Sequence, residues 1–197
     1  AVLSAMRESS GYHISVKGGR FLEAVAKADT IVFDKTGTLT YATPTVAAVV
    51  PFGGHDQAEM LRLAACLEEH YPHSMANAVV AEAKRHGLTH EEYHSQVQYV
   101  VAHGISSMVE GKKVIIGSAH FVFEDEGCRI PEGEQAKFDA LPAEYSHLYL
   151  CIDGELAAVI CIHDPLRREA REAVRALHES GFTNVVMMTG DNRRTAE

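Results

Sequence analysis

The chain has 197 residues, 46% of them hydrophobic, and a net charge of −9 from 18 Lys and Arg against 27 Asp and Glu. That length allows one large domain or two small ones with a real core, and the negative balance, with no strong clustering of basic residues, excludes a nucleic-acid surface. No apolar run reaches the roughly 18 residues that span a bilayer and no signal peptide is visible; Cys66, Cys128, Cys151 and Cys161 lack CxxC spacing and read as free buried thiols of a reducing compartment.

Residues 1–17 carry no clear pattern. A short helix follows over 20–28, with Phe21, Leu22, Val25 and Ala28 on one side. "TIVF" at 30–33 reads as a strand without alternation, which suits a parallel sheet covered on both faces. It runs directly into "DKTGTLT", Asp34 to Thr40.

The next 120 or so residues are too many for a loop in a compact domain, so they read as an inserted domain with its own patterning. Asp56 and Glu59 form a capping box before one helix. Ser74 caps a second helix that Gly87 ends. "VQYVVA", "ISSMVE", "KKVIIG", "HLYLCI" and "LAAVICI" then read as strands, with "EGKK" and "DGEL" as hairpin turns. The insertion is therefore α+β with an antiparallel sheet. Beyond it, Asp164 is the predicted N-cap of a helix with Pro165 at its first position. Ala170, Ala173, Val174 and Leu177 form its apolar stripe, and Gly181 its stop. "NVVMM" is a second short buried strand, and it too ends in a polar cluster, "TGDN" at 189–192. Two strands thus deliver reactive side chains at their carboxyl ends, where open α/β sheets place their ligand sites. The pairs His70/His73 and His90/His94 lack partners at metal-ligand spacing, and no dedicated metal site is expected from them.

The chemistry of "DKTGTLT" follows from its residue types. Asp34 at a strand exit can attack phosphorus and form an aspartyl-phosphate. Lys35 can neutralise charge on the phosphoryl group. Gly37 allows a tight turn with backbone N–H groups aimed at an anion, and Thr36 and Thr38 add hydroxyl donors. Phosphoryl transfer needs mainly positioning and charge stabilisation, which this set supplies.

These residues resemble the phosphorylation motif of P-type ATPases, ion pumps whose cytosolic core belongs to the haloacid dehalogenase superfamily. "TGDN" and "DPLR" at 164–167 resemble two further motifs of the same phosphorylation domain, and "VKGGRFLEAVAKADTIVF" resembles the approach to it in the heavy-metal-transporting subfamily. The resemblance implies an incomplete α/β, haloacid-dehalogenase-like (Rossmann-like) phosphorylation domain at 1–43 and 158–197, with an inserted nucleotide-binding domain at 44–157. It implies that ATP phosphorylates Asp34, that Asp34 and the Thr36 carbonyl help hold Mg²⁺, and that Thr189 binds the transferred phosphoryl group, with Lys35 and Asp191 in the same catalytic set. It places Asp164 and Arg167 near the hinge, in contact with nucleotide.

In the insertion, His73 matches a family histidine that meets the adenine, although Ser74 stands where a proline is usual; Gly104 and Gly117 match the strand-turn-strand, although Ala102 replaces its first glycine. The implied partners are ATP, the transmembrane and actuator domains of one parent protein at the cytosolic face of a membrane, and a transported cation that this stretch does not bind. The alternative is a soluble phosphatase of the same superfamily with an inserted cap. That enzyme would carry an acid/base Asp two residues after the nucleophile, where Thr36 has no useful pKa. A later lysine and the magnesium carboxylates of the family do not occur within the 197 residues, so the stretch is expected to bind nucleotide without turning it over.

Overall fold

The computed structural model describes residues 2–88 and 104–188, together with the strand at 94–100. They fall into two compact units, one of residues up to Asp34 and from Arg168 to Met188, the other of Lys35–Arg167. Among the described residues, no helix is long and apolar enough to cross a membrane.

The first unit contains α1 (Val2–Gly11), α2 (Gly19–Ala26) and β1 (Thr30–Asp34), with α6 (Ala170–Glu179) and β8 (Asn184–Met188) from the far end of the chain. β1 and β8 pair in parallel, from Thr30↔Asn184 to Asp34↔Met188. The loop into β8 is tied back to β1 by the Asp29 carbonyl, which accepts from the amides of Thr183 and Asn184. Both strand predictions hold in place and direction, but not in burial. Exposure alternates along each strand, leaving Val32 50%, Val186 43% and Met188 65% exposed. The physical reason is that, among the described residues, the side chains of one face of these strands are half-covered while those of the other meet no packed layer, so alternate positions stay exposed. α6 packs its half-buried Ala170, Val174 and Leu177 toward β8, while Ala173 of the predicted stripe stays exposed.

The second unit is built on a six-stranded antiparallel sheet of β2 (Thr45–Pro51), β3 (His94–Val100), β4 (Gly104–Val109), β5 (Lys112–Gly117), β6 (Ser146–Ile152) and β7 (Glu155–His163), in the order β2-β7-β6-β5-β4-β3. Helices α3 (Gln57–Glu68) and α4 (Ser74–Arg85) cover one face. Met60, Leu67 and Val79 there meet Val114, Ile116, Leu148, Leu150, Ile160 and Ile162. The helical turn at His120–Asp125 and short α5 (Gln135–Asp139) cover the other, where Phe121, Val122 and Phe138 meet Ile115, Tyr149, Cys151, Val159 and Cys161. Successive residues of β6 and β7 therefore enter opposite cores, which is why these strands read as unbroken apolar runs.

The hairpins carry positive φ at both central residues, Glu110 (50°) with Gly111 (79°) and Asp153 (50°) with Gly154 (84°), as two-residue turns matched to strand twist require. All four cysteines are free and buried.

Two predicted caps are replaced. Asp56 does cap α3, its Oδ2 accepting from the Glu59 amide at 3.0 Å. In α4, however, His73 takes the cap position, Nδ1 accepting from the Ala76 amide at 3.2 Å, and Ser74 becomes the first helical residue. α6 starts at Ala170 behind Glu169, with no side-chain cap. Asp164 is drawn away from that role because its carboxylate accepts from the Thr40 hydroxyl at 2.6 Å. Strand β2, which sequence reading passed over, pairs with β7, and β7 continues to His163.

Candidate active site

The loop after β1 is a tight turn. Thr36 (φ −74, ψ 122) and Gly37 (φ 78, ψ −11) are the central pair of a type II turn, whose second position favours glycine because φ is positive. Thr40 closes it: its amide donates to the Lys35 carbonyl at 3.1 Å, and its hydroxyl accepts from the Gly37 amide at 3.1 Å. Asp34 ends β1 with an exposed side chain, and Thr36 and Thr38 are exposed too. Thr189 and Asp191, predicted to join them, lie outside the described residues, as does Ala102.

Residues 164–167 clamp this loop. Besides the Asp164–Thr40 hydrogen bond, the Tyr41 amide donates to the Pro165 carbonyl at 3.1 Å and the Arg167 amide to the Leu39 carbonyl at 2.8 Å. The Arg167 guanidinium donates to the carbonyls of Thr40 (3.1 Å) and Gly37 (3.3 Å) and stacks 5.2 Å from the Tyr41 ring centroid. Two motifs more than a hundred residues apart are thereby one structure. Lys35 turns inward: it is 8% exposed, and its Nζ donates to Ser146 Oγ at 3.0 Å. Burial lowers its pKa, against an opposing pull from the Asp164 charge.

The remaining predicted residues sit on the six-stranded sheet and its helices. Gly104 and Gly117 face each other as paired residues at the start of β4 and the end of β5. A Cβ on Gly104 would lie 2.4 Å from Phe121 Cδ1 and 2.5 Å from the Ile116 carbonyl oxygen, so close approach itself demands glycine there. His73 is half-exposed, with Nε2 3.1 Å from Glu68 Oε2. Its Nδ1 accepts the capping bond, so the neutral ring carries its proton on Nε2, toward Glu68. Hydrogen bonding to Glu68 raises the His73 pKa, against the lowering effect of burial.

Glu68 is the residue sequence reading missed. It is 2% exposed, and the half-exposed His73 ring is the partner of its Oε2, at 3.1 Å. In sequence it is one more acid at a helix end; the only signal was its place five residues before His73. A separate cavity of about 210 Å³ lies by the β4–β5 turn, lined in part by His55, Glu59, Arg62, Glu110 and Lys112, and includes none of His73, Gly104 or Gly117.

A strand-end aspartate followed by a threonine-rich turn, in an α/β unit interrupted by an antiparallel domain, defines a class. A family model for haloacid dehalogenase-like hydrolases matches residues 28–197, and the chain belongs to that family. Within it, the relatives are metal pumps. The chain is 33% identical over 205 residues to a copper-exporting P-type ATPase of Bacillus subtilis, covering 100% of this chain and 24% of that protein. It is 36% identical to copper-transporting ATPase 2 of Rhizobium meliloti, covering 93% of this chain and 22% of that protein. A crystal structure of a zinc-transporting PIB-type ATPase in its E2.Pi state aligns with a TM-score of 0.60 and 29% identity, over 100% of this chain and 31% of that one. The chain spans about a quarter of the length of the curated relatives it matches.

Proposed function

We propose that this chain is the ATP-binding and phosphorylation portion of a heavy-metal-transporting P-type ATPase. The observation that carries the reading is the "DKTGTLT" turn, held at the carboxyl end of a parallel strand and clamped by "DPLR". In the reaction, an Asp34 carboxylate oxygen attacks the γ-phosphorus of ATP, the bond to the bridging oxygen breaks, and ADP leaves. Later hydrolysis of the acyl-phosphate by water returns the carboxylate. The donors on hand suit a hard divalent cation: the Asp34 carboxylate and the Thr36 carbonyl are oxygens, as Mg²⁺ prefers. When bound, Mg²⁺ would neutralise charge on the transferring phosphoryl group.

In this reading, Thr189 and Asp191 attend the phosphoryl group. His73 meets the adenine, and Glu68 fixes the tautomer and angle of its ring. Gly104 and Gly117, paired on adjacent strands, belong to the same nucleotide site. Asp164 and Arg167 hold the turn at the junction with the inserted domain, which runs roughly 44–157. The energy of the acyl-phosphate would drive cation movement through membrane segments of the parent protein, with this portion on the cytosolic side. The test is labelling of the intact protein with γ-labelled ATP. An acid-stable, hydroxylamine-sensitive phosphoenzyme is expected, and Asp34→Ala abolishes it; equal labelling of that variant defeats the assignment.

A further inference from the structure

Lys35 stands next to Asp34 in the chain, and its sequence context points to the phosphoryl group. Its side chain is engaged elsewhere. Nζ donates to Ser146 Oγ at 3.0 Å, and both residues are buried, at 8% and 6% exposure. Ser146 is the first residue of β6, the strand that pairs with β5 and β7 inside the six-stranded sheet. Asp164 is near enough for its charge to act on the ammonium. One of its oxygens takes the Thr40 hydroxyl, and the other, Oδ1, is buried without a hydrogen bond among the described residues. Thr40, Asp164, Lys35 and Ser146 thus form one polar cluster that joins the phosphorylation turn, the "DPLR" clamp and the head of β6. Buried charges keep such a place only when closely matched by partners, so the cluster holds its members in defined positions.

We propose that Lys35 is a positioning residue, whose bond to Ser146 anchors the peptide beside Asp34 to the sheet of the nucleotide-binding unit. A shift of β6 then moves the backbone adjacent to the nucleophile. The anchor serves the reaction that needs the nucleotide-binding unit, phosphorylation by ATP, and not phosphorylation of the same aspartate by inorganic phosphate. The inference rests on the aspartyl-phosphate reading above.

The experiment compares the intact protein with Ser146→Ala, Ser146→Thr and Lys35→Met, measuring phosphoenzyme formed from Mg-ATP and, separately, from inorganic phosphate. Ser146→Ala should slow the ATP reaction about tenfold, within the range of coupling between contacting residues, while leaving the phosphate reaction within about twofold. Ser146→Thr, which keeps the hydroxyl, should restore the ATP rate. Adding Lys35→Met to Ser146→Ala should cost less than the two single effects multiplied. Loss of both reactions to the same degree in Ser146→Ala would mark a merely structural serine and overturn the proposal. So would an unaffected Ser146→Ala beside a Lys35→Met that forms phosphoenzyme from neither donor, because the lysine would then act on the phosphoryl group itself. The Ser146 pair decides the matter even if Lys35→Met fails to fold. A wild-type protein that forms no phosphoenzyme from either donor defeats the proposed function, not this inference.

Discussion

The two units solve the same problem with unequal means. In Lys35–Arg167, packed clusters lie on both faces of the antiparallel sheet, and Leu150, Ala158, Val159, Ile160 and Cys161 are wholly shielded from water. In the unit that carries Asp34, two strands are paired and no residue of α1, α2, α6, β1 or β8 is buried. Hydrophobic stabilisation grows with apolar area removed from water, so the larger unit holds most of the stability. Asp34, by contrast, stands exposed at the end of a lightly supported strand. Most of the buried apolar surface and the strand that ends in Asp34 thus belong to different units.

Amide hydrogen exchange gives the widest separation. Amides of β6 and β7 should exchange only by global opening, and those of β1 and β8 by local opening, about a thousandfold or more faster, since opening energies range from near zero to the global value. Comparable protection in both sheets would end the contrast. Core truncation sharpens it next. Ile160→Ala should cost about 2–5 kcal/mol in denaturant unfolding, whereas Val186→Ala, at a position 43% exposed, should cost well below that; similar values for the two would mean that the small unit has a core of its own.

Gly104→Ala comes third. Its Cβ would press on the Phe121 ring and the Ile116 carbonyl, an overpacking that costs about 1–3 kcal/mol. Weaker ATP binding, read by calorimetry, should accompany the loss of stability, and an unchanged affinity would separate this glycine from the nucleotide site. Thiol labelling tests the larger unit again. Burial pushes Cys161 up to about 11 and Cys151 further, so both should resist alkylation at neutral pH until denaturant is added.

The smallest effect concerns pH. The raised pKa of His73 means that its interaction with Glu68 stabilises the fold fully below the ordinary value of 6.5 and fades as pH rises through the raised folded value. Glu68→Gln should flatten that part of the stability profile. A wild-type profile with no slope there would show that the pair contributes nothing to folding.

Local chemistry made much of this readable in advance. "DKTGTLT" contains its own type II turn, because Gly37 alone among those residues takes φ 78° at little cost. The hairpins at Glu110-Gly111 and Asp153-Gly154 and the Asp56 cap are equally local. Strand β2 was harder to see: "TVAAVV" mixes alanines into its apolar run, and its place depends on β7 more than a hundred residues later.

By itself, the sequence determined the turn that follows Asp34, the interruption of an α/β unit by an antiparallel sheet and the kinship of the motifs. Those depend on residue type and short spacing, which hydrogen bonding and φ preference act on directly. Only the tertiary structure decided the partners. It took Asp164 from a helix cap to Thr40, turned Lys35 toward Ser146, gave the α4 cap to His73, and placed Glu68 against that ring's Nε2. Each is a polar group at least partly withdrawn from water and in need of a match, and which match it finds depends on what the fold brings within about 3 Å, a distance that spacing along the chain does not encode.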